Sequence, residues 1–164
     1  MAGLVKIKGY DEEVVNICTQ GTQGEGIELS GLYIQLPAVP SDDEILFAGL
    51  DEKEQYWRRT EMPKELSSIR SMDEWSESPR EFRNRYTAFI QREYKRRREG
   101  VWFYNQGVPT YITGRHYMML QWSKIDIGYP SFLDFQRKLF IHFAACEADP
   151  RALGQIYTKC RRSG

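Results

Sequence analysis

The sequence predicts an α+β fold in which a helical and β-hairpin subdomain leads into the first strand of an α/β core. Three observations predict it. A run with apolar residues three and four apart, bounded by Pro79 and Gly100, has the period of a long amphipathic helix. Two short aromatic and β-branched runs then flank Asn105-Gln106-Gly107, the pattern of a hairpin. Near the end, a second helical period gives way to Leu153-Gly154-Gln155-Ile156-Tyr157-Thr158, a strand by length and composition, and then to a cationic run.

Composition sets the limits. The chain has 164 residues, enough for one ordinary domain, and 41% of them are hydrophobic, enough for a core. Basic and acidic residues balance at 23 each, so no global field draws the protein to nucleic acid and any such contact needs a local patch. The 13% aromatic content argues against disorder. Cys18, Cys146 and Cys160 are too few and too far apart for a disulfide framework, and with His116 and His142 they match no zinc spacing. We read them as reduced thiols in a cytosolic protein. The first ten residues carry no signal-peptide core, and no run of eighteen apolar residues occurs.

Along the chain, Leu4-Val5-Lys6-Ile7 alternates and Thr19-Gln20-Gly21-Thr22-Gln23-Gly24-Glu25-Gly26 is turn-like, so the amino-terminal end is expected to be loosely attached. Gly31-Leu32-Tyr33-Ile34-Gln35-Leu36 reads as a strand, and Ser41 with Glu44 three residues later reads as a helix start. Between 51 and 75, Pro63 and clustered charge predict short helices or loops. Ser78 as N-cap, Pro79 and Glu81 mark the start of the helix 79–99, which Gly100 ends.

Phe82, Tyr86, Phe89, Ile90 and Tyr94 form the apolar face of that helix, whereas Arg83, Arg92, Lys95, Arg96, Arg97 and Arg98 load its other face. The basic face is either solvated, with cations suited to the negative end of the helix dipole, or a patch for DNA or a partner subunit. The hairpin covers 101–112 with Pro109 on an edge strand. A short helix follows at 115–122, in which His116 is expected to be a packed core residue rather than a catalytic base. The helix 131–148 takes Ser131 and Asp134 as its start, presents Phe132, Phe135, Leu139, Phe140, Phe143 and Cys146 on one side, and stops at Asp149-Pro150. The organisation is therefore an amino-terminal region 1–78, a helical and hairpin subdomain 79–150, and the start of an α/β core at 151–164.

Helix, strand, then a short cationic loop with glycine is the order in which nucleotide-binding α/β domains build their first phosphate contact. Glycine lets the backbone approach the phosphates, successive N–H groups cradle the oxygens, and a long cation neutralises charge developing on the γ-phosphoryl. The spacing alone departs from the usual Gly-x4-Gly-Lys-Ser/Thr pattern, and by itself reads as a basic tail sooner than as a phosphate loop. Lys159-Cys160-Arg161-Arg162-Ser163-Gly164, after Gly154-Gln155-Ile156-Tyr157, nevertheless resembles the deviant Walker A loop of large terminases. In that loop the lysine stands at the front and an arginine precedes the glycine. The run from Gly100-Val101-Trp102-Phe103-Tyr104 through Thr113-Gly114-Arg115-His116-Tyr117 resembles the segment ahead of the ATPase core in terminases of tailed phages, the crAss-like group among them. The resemblance covers 100–164 and none of the first eighty residues.

The resemblance implies a P-loop ATPase core, of which this chain holds only the first strand and loop, and an ATP-driven motor that packages DNA into a viral capsid. Lys159 is implied to contact the phosphates, Arg162 to be the motif arginine, and Gly164 to let the backbone close on the β-phosphate. Cys160, Arg161 and Ser163 are implied to supply backbone N–H groups. Gln136 falls where the family places an adenine-reading glutamine, though an exposed helical glutamine is equally ordinary. ATP and Mg²⁺ are the implied cofactors of the full protein. Double-stranded viral DNA, a portal protein and a small terminase subunit are its implied partners, in the host cytoplasm. The Ser or Thr for Mg²⁺, the acidic strand end, the catalytic glutamate and the nuclease domain would lie beyond Gly164, so the chain by itself is expected neither to bind ATP tightly nor to hydrolyse it. No metal ligand is predicted within it. A binding module using the helix 79–99 with the aromatics of 102–111, and the front end of a helicase, are the other readings.

Overall fold

The computed structural model describes residues 2–6, 13–126 and 128–158. The fold is mixed α+β: among the described residues it holds a four-stranded mixed sheet, a two-stranded hairpin and four α-helices. The chain forms two compact units, Asp42–Phe132 and a second built from Met1–Ser41 with Leu133–Gly164.

The second of these units carries the sheet. Strands β1 (Gly3–Val5), β2 (Val14–Asn16), β3 (Gln23–Leu29) and β4 (Leu32–Pro37) lie in the order β1-β2-β4-β3. β1 pairs antiparallel with β2 and β3 antiparallel with β4, while β2 and β4 run parallel with Val15 opposite Ile34. The final helix of the chain, Asp134–Ala148, packs on β2 and β4. Val14, Val15, Ile17, Cys18, Ile34 and Leu36 are buried, as are Ile141 and Ala145 of the helix.

The described strands of the amino-terminal end are therefore anchored in a sheet rather than loose. Two of its glycines serve close approach: a Cβ on Gly24 would fall 2.6 Å from the Ala38 Cα, and one on Gly26 2.6 Å from the Ile34 carbonyl oxygen. By composition these residues are flexible; the neighbouring strand requires them to be small.

The helix start expected from Ser41 and Glu44 is only a single 3-10 turn, Asp42–Glu44, at the head of the unit Asp42–Phe132. Two more 3-10 turns (Glu52–Glu54, Lys64–Ser68) and helix α1 (Met72–Glu77) follow, as the broken pattern of that stretch predicts. Helix α2 spans Arg80–Glu99 and ends at Gly100, whose φ is +84°. Ser78 does not cap it, because its hydroxyl donates to the Glu74 carbonyl at 2.7 Å and closes α1 instead. The hairpin pairs β5 (Val101–Asn105) with β6 (Val108–Ile112) through Gln106 and Gly107, both at positive φ, the geometry that matches strand twist. Leu46 covers the free edge of β5, donating to Trp102 and accepting from Tyr104, both at 3.0 Å. Pro109 lies on β6, whose ladder among the described residues is the one to β5, so the missing N–H is tolerated as on any edge strand.

Helix α3 (Gly114–Trp122) starts on a Thr113 cap whose hydroxyl accepts from the His116 N–H. Trp57, Val101, Phe103, Ile112, Tyr117 and Leu120 make the core of this unit. Edge-on ring contacts join Trp57 to Phe103 at 5.4 Å and to Tyr117 at 5.9 Å. Two buried glutamines tie loops to it. Gln55 accepts from the Gly107 N–H and donates to the Leu50 carbonyl, and Gln121 meets both the N–H and the carbonyl of Thr60.

The start of α3 touches the end of α2 without room for a side chain, since a Cβ on Gly114 would strike the Arg97 carbonyl. Gly114→Ala is therefore expected to cost about 1–3 kcal/mol by overpacking, read as a lower urea midpoint. Gly49→Ala, where a Cβ meets nothing within 4 Å, is expected to leave the midpoint in place. Equal midpoints for both variants would refute the close approach.

Candidate functional site

Helix α4 is the element Asp134–Ala148, and it carries the one described residue of the expected nucleotide site, Gln136. The helix begins three residues later than Ser131 suggests, with Leu133 at the cap position. Asp134 in its first turn receives Arg137 at 2.8 Å and Lys138 at 3.0 Å. Burial works to raise the Asp134 carboxyl, but the bonds from Arg137 and Lys138 outweigh it and hold the group below the usual carboxylate range. Gln136 is half-buried, and its Oε1 is a buried acceptor that no donor meets among the described residues. The deepest residues of α4 are Ile141 and Ala145, not the aromatic side that the spacing marks; Phe135 is exposed. The sheet beneath selects the small and β-branched positions, which sequence periodicity does not rank.

At the other end of α4, Asp149 stops the helix. Its carboxylate accepts from the Arg151 N–H, Nε and Nη2, each at 2.9 Å, and these bonds hold it below the usual range. The strand expected at 153–158 does not form. A β-rich sequence becomes a strand by packing and pairing against a neighbour. Here Leu153 and Ile156 stand at 105% and 97% exposure, with no ladder beside them among the described residues. A P-loop core is accordingly not formed by the described chain. Lys159, Cys160, Arg161, Arg162, Ser163 and Gly164 lie outside the described residues.

One bond ties this segment back to the helix. Gln155 Nε2 donates to His142 Nδ1 at 2.9 Å, and Cys146 Sγ lies 3.7 Å from the same nitrogen. The sequence singles out neither His142 nor Gln155; the pairing joins residues thirteen apart and has no local signature. His116 is a fully buried core residue stacked on Phe132 at 5.8 Å, as expected.

The basic helix α2 is a separate candidate, in the other unit. Arg80, Arg85, Arg92, Lys95 and Arg98 are exposed along it, with Arg85, Arg92 and Lys95 spaced seven and three apart on one stripe. Arg96 and Arg97 leave that face. Arg96 binds Glu93 at 2.9 Å, and the Arg97 guanidinium lies over the Trp122 ring at 4.5 Å. Arg83 donates to the carbonyls of Ser76 and Ser78.

Glu93, 4% exposed, takes the Tyr117 hydroxyl at 2.6 Å on its second oxygen. Sequence reasoning does not find this network, although Glu93 falls seven residues after Tyr86 and so on the apolar stripe, where a carboxylate requires partners. Burial, then the bond to Glu93, pushes the Tyr117 phenol up to about 12. Among the described residues no group of three or more His, Cys, Asp or Glu side chains could hold a metal ion, and no helix is long and apolar enough to cross a membrane.

Comparison with protein-family models, with curated proteins and with solved structures gave no match.

Tyr117→Phe removes a hydrogen bond to a buried carboxylate and is expected to cost about 1.5–3 kcal/mol, while Glu93→Ala also strands Arg96 and Tyr117. The folded pKa of Tyr117 exceeds its ordinary 10.0. The bond's contribution is thus complete below pH 10 and is lost as pH rises towards 12. Urea midpoints between pH 8 and pH 12 should fall, and fall less steeply in Tyr117→Phe. A residual slope remains from Tyr104, whose phenol is raised by its bond to Asp42. Parallel profiles for the two proteins would remove Tyr117 as the cause.

Proposed function

We propose that the chain is the amino-terminal part of a phage-type large terminase, the ATP-driven motor that packages double-stranded DNA, and that it contributes the adenine-reading and phosphate-loop residues of the motor. The observation that carries the reading is the path of the chain after α4. Beyond Asp149 it turns back, and Gln155 reaches His142 at mid-helix. Gln136 lies six residues before His142, ~9 Å along the helix axis. The four residues from Gln155 to Lys159 can span up to ~13 Å. A phosphate run that followed this path would come within reach of the end of α4 that presents Gln136.

The residues suit the nucleotide. The unmet Gln136 Oε1 is an acceptor of the kind the adenine amino group requires, and its amide N–H₂ can donate to the ring. Lys159 and Arg162 would set positive charge against the phosphates, and the backbone N–H groups of Cys160, Arg161, Ser163 and Gly164 would cradle their oxygens. Mg²⁺ would supply further neutralisation of the phosphate charge, and no residue of 1–164 is assigned as its ligand. Leu153 and Ile156, apolar and uncovered, suit a strand that completes its pairing inside a larger α/β sheet.

The test uses the protein translated together with the codons that follow Gly164. Those codons are expected to give an aromatic residue, Ser or Thr, and a later acidic strand end. Lys159→Ala is expected to lower ATP turnover by about 10²-fold or more, whereas Gln136→Ala raises KM for ATP with kcat kept. Unchanged turnover in Lys159→Ala sinks the proposal.

The exposed stripe Arg85, Arg92 and Lys95 favours a second reading, a nucleic-acid-binding module. It predicts affinity for duplex DNA that weakens with salt. Changing these three residues to Gln should flatten the log–log salt dependence by roughly 0.9 for each phosphate that is no longer neutralised. Identical slopes would leave the stripe as a solvated face.

A further inference from the structure

In the unit that carries the sheet, three side chains meet at one ring nitrogen. His142 and Cys146 stand four residues apart on α4 and so share a side of the helix, with Cys146 Sγ 3.7 Å from His142 Nδ1. Gln155 Nε2 reaches the same Nδ1 at 2.9 Å from the segment that follows the helix. All three residues are half-buried, and Gln155 is the one residue of 153–158 that is not exposed.

A ring nitrogen of neutral imidazole is either a donor or an acceptor, and it holds one proton or one lone pair. With the Gln155 amide nitrogen on the ring, Nδ1 is the acceptor and its lone pair is filled. With the amide turned over, its oxygen accepts from an Nδ1–H, and no lone pair is left. In both arrangements Nδ1 is closed to the Cys146 proton. A thiol reacts as its thiolate, and a histidine beside it is the base that forms one. Cys146 thus has a base in contact, and Gln155 occupies that base. Cys18 differs, since it is buried with its Sγ on the Gln20 carbonyl oxygen, which takes no proton.

We propose that Cys146 is a modification site for soft electrophiles, that His142 is its base, and that Gln155 keeps the pair silent while it lies on α4. When Gln155 leaves, Nδ1 takes the Sγ proton and the thiolate attacks the electrophile. A bond to Sγ forms, the bond to the leaving group breaks with its electron pair, and the proton remains on His142. Neither Gln136 nor the run 159–164 takes part. The test reads thiol chemistry rather than ATP turnover, so its failure and that of the proposed function are separate results.

Iodoacetamide is the probe, used on the whole chain near neutral pH. Its rate is read at Cys146 from the tryptic peptide 139–151, which holds no other cysteine. An ordinary cysteine is only a few per cent thiolate there, so Gln155→Ala has room to raise the rate by about tenfold. His142→Ala also releases the segment but removes the base, and should react no faster than the unaltered protein. The double variant should match His142→Ala. A Gln155→Ala rate equal to that of the unaltered protein overturns the proposal. So does a His142→Ala rate as high as that of Gln155→Ala, because the segment then shields Cys146 and the ring is no base.

Discussion

A carboxylate taken out of water costs several kcal/mol unless donors replace its hydration, and Glu93 sets this requirement at the centre of the unit Asp42–Phe132. One donor comes from its own helix, Arg96, and the other from α3, Tyr117. The second bond fixes where α3 lies against α2. Tyr117 in turn packs edge-on against Trp57, which meets Phe103 of the hairpin, so the position of the core rings follows from the partner that Glu93 requires. Gly114 completes the arrangement by letting the first turn of α3 reach the backbone at the end of α2. The hairpin is tied to the same place, because the Tyr111 hydroxyl donates to the Glu99 carbonyl at 2.7 Å. An apolar residue at 93 would bury more easily but would not select one position for α3.

This arrangement explains which features are legible in the sequence. Helix α2 and the hairpin read closely because their signals are local: Pro79 and Gly100 bound the helix, and aromatic and β-branched residues flank a two-residue turn. His116 reads as core because a lone histidine among Tyr117, Met118 and Leu120 has no catalytic partner in the pattern. The sheet is not legible as a sheet. Its central pair, β2 and β4, is parallel and joined by a long excursion through β3, and its glycines carry a composition that signals turns. Arg96 and Arg97 fall on the basic face when charge is weighed without position. Arg96 pairs with Glu93 of its own helix, a carboxylate that only tertiary packing buries, and Arg97 stands over a Trp122 ring that only tertiary packing brings to it.

The candidate nucleotide site is legible only as chemistry. The resemblance to terminases points to Gln136 and the run 159–164, but nothing in periodicity indicates that the chain turns back along α4 after Asp149. That reversal depends on the Asp149–Arg151 clamp and on the Gln155–His142 bond. Asp-Pro predicts that the helix stops there. It does not predict the direction of the chain afterwards.

The same segment separates what a sequence can encode alone from what needs a neighbour. Leu153, Ile156 and Tyr157 have the side chains of a strand, yet strand propensity is the fit of a side chain to an adjacent strand, and a strand's backbone requires a ladder. With Leu153 and Ile156 exposed, the favourable term of roughly 1.5–3 kcal/mol for burying each is not realised. The Gln155–His142 bond, a half-buried interaction of about 0.5–1.5 kcal/mol, is small against the sum that burying both would return. A sheet edge offered to 153–157 would therefore supply both the ladder and the cover that Leu153 and Ile156 lack, and strand formation in this segment waits on that neighbour.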